Sequence, residues 1–195
     1  MSTAPALDPT HTALLVMDYQ PAILAFVPEG EARNALLGRV EGAIADVRAN
    51  GGTNAYVRVG FTDADWDAIP ASNKSFAPLA QHRIVHHEDS AAAIHERLAP
   101  QDDDTIVRKI RYGGMSTSDL DQQLRERGIT TLVVSNISAS GVVLSTVIDG
   151  ADRDYQLRRR RRPRQRSPPR PAPQSLPLTA HTLDTAELHA LLRAA

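Results

Sequence analysis

The chain has 195 residues, 42% of them hydrophobic and none of them cysteine, and a formal net charge of −1. That length and apolar content suit a single domain, residues 1–195, with a sizeable core. Zero cysteine excludes a disulfide framework, a thiolate metal site and a thiol nucleophile.

No apolar run approaches the roughly 20 residues that span a bilayer. The opening MSTAPALDPT has neither the basic nor the apolar region of a secretory leader, so a cytoplasmic protein is expected. Near-neutrality conceals an asymmetry: eight of the twenty arginines fall between Arg158 and Arg170, which leaves −9 on the remainder.

In chain order, TALLVM (12–17) reads as a buried strand with Asp18 at its carboxyl end. Leu36, Leu37, Val40, Ile44 and Val47 recur at helical spacing, and Gly51 and Gly52 offer a stop. TNAYVRV (53–59) alternates as a strand does, and a polar loop, 62–75, then carries the only tryptophan, Trp66. Residues 91–98 predict a short helix, 105–109 a strand, and 118–127 a helix ending at Gly128, with Ser116 and Asp119 placed as a capping box. Residues 130–135 predict the next strand and 142–152 the helix after it. Strands alternating with helices signal a largely parallel sheet covered on both faces.

The turn SNISASGVVLST, Ser135 to Thr146, is the centre of this pattern. A strand turning sharply into a helix places backbone N–H groups at the carboxyl edge of a sheet, where open α/β sheets bind ligands. Asp18, Lys109 and Ser135–Gly141 all end strands and so share that edge. Lys109 also stands out by composition, being one of two lysines among twenty arginines. A compact, titratable ammonium differs chemically from a guanidinium; an ordinary surface charge at a strand end is the plain alternative.

Three stretches carry a resemblance: ALLVMDYQPAIL around Asp18, IVRKIRYGGMSTSDLDQQLRERGI around Lys109, and TTLVVSNISASGVVLSTVIDGADRDYQL. In that order and spacing they resemble the isochorismatase-like cysteine hydrolases, the family that includes the nicotinamidases, over residues 8–157. TAHTLDTAELHALL resumes the likeness near the C-terminus. The resemblance implies a three-layer, doubly wound, Rossmann-like fold on a six-stranded, mostly parallel sheet, with an Asp–Lys–Cys triad. Asp18 and Lys109 match the first two members, and Val142 occupies the nucleophile's position. It also implies oxyanion donors on the backbone of Ser138 and Val142, across a cis Ile137–Ser138 bond.

Valine cannot attack a carbonyl, so thioester chemistry is closed to this chain. One branch of the family cleaves a vinyl ether with the aspartate as general acid, and a retained Asp18–Lys109 pair fits such chemistry. It fits equally a catalytically silent, ligand-binding homologue. Trp66 and Phe76 are the candidates for lining the substrate pocket. Family members that hold a metal use Asp-x-His and a further histidine. GFTDADWDAIPASNKSF has no histidine, and the adjacent His86 and His87 would face opposite ways on a strand, so neither metal nor cofactor is expected.

After Leu157 the likeness breaks off into RRRRRPRQRSPPRPAPQS, where a valine-rich strand and a covering helix belong. This composition predicts no core strand, which would leave an apolar face exposed. Three readings stand. Residues 158–175 could be read out of frame, because GTC, GCC and GAC codons give arginine when shifted by one base. They could be a basic arm that binds phosphates, or a solvated linker. The expected partner is a small-molecule substrate, a homo-oligomer is compatible, and neither nucleic acid nor membrane is expected.

Overall fold

The structure, a computed structural model, describes residues 7–137, 141–160, 181–183 and 185–193. Six strands form one sheet: β1 (Thr12–Met17), β2 (Thr53–Val59), β3 (Thr105–Lys109), β4 (Thr131–Asn136), β5 (Gln156–Arg160) and β6 (His181–Leu183). Their spatial order is β3-β2-β1-β4-β5-β6, and every pairing is parallel. The order reverses at β1, which has β2 on one side and β4 on the other. This is the doubly wound α/β fold that the sequence predicts, and β1 is its topological switch point.

All six residues of β1 are buried, as expected of a central strand covered on both faces. Its alternate side chains divide between two cores. Leu14 and Val16 join Val133 of β4 beneath α2 (Glu31–Ala49), where Leu36, Leu37, Val40, Ile44 and Val47 face inward. Leu15 and Met17 join Val134 and Leu157 on the other face. There they meet Leu120 and Leu124 of α5 (Leu120–Glu126) and Val143 and Val147 of α6 (Gly141–Ala151). The C-terminal helix Thr185–Arg193 returns to the first face with Leu188 and Leu192.

Four expectations need correction. The stretch 91–98 is not a helix but two 3₁₀ turns, Ser90–Ala92 and Glu96–Leu98. Its backbone is bonded elsewhere: the Ala92 carbonyl accepts from Gln20 Nε2 at 2.7 Å, and the His95 N–H donates to the Tyr19 carbonyl at 2.9 Å. The loop after β2 holds a short helix, α3 (Asp63–Asp67), because Thr62 and Asp65 form a reciprocal capping box, and a second short helix, α4 (Ala77–Gln81), follows it. Ser116 caps nothing at α5; Ser118 takes that part, its Oγ accepting from the Leu120 N–H and donating to the Gly114 carbonyl.

The fourth correction concerns the arginine tract, whose beginning is a strand. Arg158, Arg159 and Arg160 complete β5, and Arg158 pairs with Val133. Gln156 and Leu157 set the register against Thr131 and Leu132, and the arginines continue it. The expected covering helix lies outside the described residues. No helix among the described residues is long and apolar enough to cross a membrane.

Candidate active site

Asp18 follows β1 at the carboxyl edge, and its backbone N–H donates to Val57 O of β2 at 2.9 Å. It is held in the left-handed region, φ 58°, a conformation that non-glycine residues adopt uncommonly and that Asp and Asn tolerate better than most. Lys109 ends β3 two strands away and reaches across. Its Nζ lies 3.1 Å from Asp18 Oδ1, with the side chains 2% and 6% exposed. Nζ also donates to the Arg111 carbonyl at 3.3 Å. Oδ2 accepts from Asn136 Nδ2 at 3.3 Å.

Burial pushes the Asp18 carboxyl above its ordinary range, outweighing the pull of Lys109 and Asn136 toward ionisation. The product is a buried carboxyl at the switch point that keeps its proton to higher pH. Removing either partner of a buried ion pair costs about 3–5 kcal/mol, so the pair is also structural.

Val142 is the second residue of α6, in the turn whose backbone N–H groups lack intrahelical acceptors. Thr146 braces this region: its Oγ1 donates to the Val142 carbonyl at 2.8 Å and accepts from the Gly114 N–H at 3.0 Å. One hydroxyl thus joins α6 to the loop that follows Lys109. Ser138, the other expected oxyanion donor, and the Ile137–Ser138 bond fall outside the described residues.

Trp66 and Phe76 are both buried, in an aromatic cluster with Phe61. Tyr112 connects that cluster to α6. Its ring centroid is 4.9 Å from that of Phe76, and its ring atoms lie 3.5–3.7 Å from where a Cβ on Gly141 would be. Tyr112 is substantially exposed, so it is the member of the group best placed to meet a ligand. Reasoning from sequence missed it, as it missed Asn136 and Gln20. The buried Gln20 amide donates to the Val59 and Ala92 carbonyls and accepts from the Val59 N–H at 2.8 Å. A polar residue three places beyond a buried apolar run was the available signal for Gln20; none marked Tyr112.

The two histidines depart from the expected strand geometry. Residue 86 makes only an isolated bridge to Phe61 before the chain turns. The His86 and His87 rings come to lie 4.8 Å apart, and the Glu88 N–H donates to His86 Nδ1. One donor atom each from His86, His87 and Glu88 lies within 4.8 Å of the others, so these residues could hold a cation. The Arg58 guanidinium, which donates to the His87 carbonyl at 2.8 Å, opposes one electrostatically.

A doubly wound parallel sheet with a buried Asp–Lys pair at its switch point defines the class of α/β protein. Residues 12–158 match the Isochorismatase domain, and the chain belongs to the isochorismatase family. It is 31% identical over 172 residues to the ureidoacrylate amidohydrolase RutB of Methylobacterium radiotolerans, an alignment covering 77% of this chain. The chain spans about 65% of that relative's length. Among solved structures, a cysteine hydrolase from Pseudomonas syringae pv. phaseolicola superposes with a TM-score of 0.77 at 22% identity, covering 100% of this chain and 99% of the other. An isochorismatase family protein from Burkholderia thailandensis does so at 0.75 and 21%, covering 98% and 100%. The fold expected from the resemblance is the fold observed, and the sequence has no cysteine to supply the family's nucleophile.

Proposed function

We propose that the chain is a hydrolase of a small metabolite, with Asp18 as proton donor and acceptor, Lys109 as its electrostatic partner, and no covalent intermediate. The observation that carries this reading is the buried Asp18–Lys109 pair, 3.1 Å apart, with the Asp18 carboxyl pushed up by burial. A carboxyl that stays protonated to higher pH can donate to the atom at which a bond is breaking. The carboxylate left behind is stabilised by the Lys109 ammonium and recovers its proton from the water that adds to the substrate. Water must be the nucleophile, because Val142 has no lone pair to offer. The N–H of Val142, in the first turn of α6, receives charge that develops on a carbonyl oxygen.

Two bonds are the first to test. One is the ureido amide of ureidoacrylate, named for the curated relative; the other is the acid-labile vinyl ether of isochorismate. Turnover of either by the wild-type chain, lost in Asp18→Asn, supports the reading. Turnover unchanged by Asp18→Asn refutes it. Val142 favours a second reading, a catalytically silent homologue that binds its ligand in the same crevice. Binding by calorimetry without turnover of any compound in the panel selects that one.

We also propose that residues 158–175 are read out of frame. In support, Arg158 takes a buried position paired with Val133, with its Nε and Nη2 unpartnered among the described residues. Sequencing the gene across codons 150–182 decides the matter. A neighbouring frame that encodes a valine-rich strand and an amphipathic helix supports it, and the absence of one removes it.

A further inference from the structure

We propose that the surface around Phe26 is the interface of a symmetric homodimer in which each Phe26 ring enters a cavity of the other copy. Phe26 follows α1 (Pro21–Leu24) and is 85% exposed, more than any other large apolar residue described. It is not there through looseness. Its N–H donates to the Ile23 carbonyl at 3.2 Å and the next N–H, of Val27, to Leu24 at 2.8 Å. The Val27 carbonyl accepts from Nε and Nη2 of Arg33, whose Nη1 also donates to Glu29. Below, the buried Gln20 amide fastens the start of α1 to Val59 and Ala92. A rigid frame thus holds a phenyl ring out in water, the arrangement of a preorganised hot spot.

Beside it opens a cavity of about 750 Å³ with a mixed lining, in which Leu24, Ala25, Val27, Pro28, Ala93 and Ile94 supply the apolar part. Ala25 and Val27, the two neighbours of Phe26 in sequence, line it, so projection and recess share one patch. A two-fold interface requires this, since the same surface must both insert and receive. The rim carries both signs, Glu29 and Glu96 with Arg33 and His95, so a second copy meets complementary charge and not a field of one sign. These features commit the occupant to another copy of this chain, independently of what the Asp18 site does.

The absence of native cysteine makes the test clean. Sedimentation of the full chain at about 100 µM is expected to give a dimer. Phe26→Asp, and separately Ala93→Arg at an exposed position of the receiving wall, are each expected to raise the dissociation constant at least tenfold with an unchanged circular dichroism spectrum. The double variant Phe26→Cys/Ala93→Cys is expected to form a disulfide-linked dimer under mild oxidation. A wild-type chain that sediments as a monomer overturns the proposal. So does a dimer that survives both substitutions, or a double variant that fails to cross-link.

Discussion

Replacing Arg158 by valine tests most directly how the C-terminal half of the sheet is built. Arg158 is 3% exposed and lies between Val133 of β4 and His181 of β6. Because Leu157 faces the α5–α6 core, its neighbour Arg158 faces the opposite core, the one containing Val133, Leu188 and Leu192. Its only hydrogen bond among the described residues runs from Nη1 to the adjacent Leu157 carbonyl at 3.3 Å; Nε and Nη2 have none. Burial accordingly pushes the guanidinium below its usual pKa. Each unmade buried hydrogen bond costs about 1–3 kcal/mol, and a buried valine side chain contributes about 1.5–3 kcal/mol over an exposed one. Allowing for relaxation around the smaller side chain, Arg158→Val is expected to stabilise the fold by about 3 kcal/mol. In a domain of this size that is roughly 6–12 °C in Tm. Thermal melts followed by circular dichroism, paired with urea midpoints, measure it. A Tm that falls or stays still would mean that the guanidinium has a strong partner or that the register of β5 differs, and either sinks the reasoning.

Other expectations follow from the site. Asp18→Asn keeps the shape but cannot cycle a proton, so turnover of any substrate found should fall by about 10²–10⁴-fold, the usual share of a general acid–base group. Val142→Cys places a thiol in the first turn of α6, where helix N–H groups lower thiol pKa values. Iodoacetamide should label it at neutral pH faster than a cysteine placed at exposed Ala93, and equal rates would contradict the geometry. Thr146→Val keeps the shape but removes the acceptor of the Gly114 N–H, and should cost about 1–2 kcal/mol in urea unfolding. Asn136→Ala removes a donor that favours the ionised Asp18, so the Asp18 carboxyl should titrate still higher, readable by ¹³C NMR. An acid whose folded pKa lies above its unfolded one binds its proton more tightly when folded. Stability therefore falls as pH rises from the ordinary carboxylate value through the raised one, and Asn136→Ala should widen that window.

Much of this was legible in the residues. The strands at 12–17, 53–59 and 105–109 read directly, because buried parallel strands are short apolar or β-branched runs with clear ends. Asp18 and Lys109 were legible as strand ends, and parallel strands bring their ends to one edge. What misled was long-range. The stretch 91–98 has good local helix propensity, but its peptide groups are claimed by Gln20 and Tyr19, more than 70 residues away in sequence. His86 and His87 alternate only on a continuing strand, and this one lasts a single bridge. β5 was hidden by its side chains: strand formation there follows the register set by Gln156 and Leu157, and arginine is carried along at a cost that composition alone does not reveal.

The backbone of Asp18 narrows what evolution or a designer can do there. With φ at 58°, a saturation library at this position should return folded protein chiefly for Asp, Asn and Gly. Glutamate, which has the same charge, is handicapped before reach is considered. Of the tolerated set only aspartate can give and take a proton. The conformational filter and the chemical filter thus overlap at one amino acid, and an acid that drifts away from this position should be recoverable only by direct reversion.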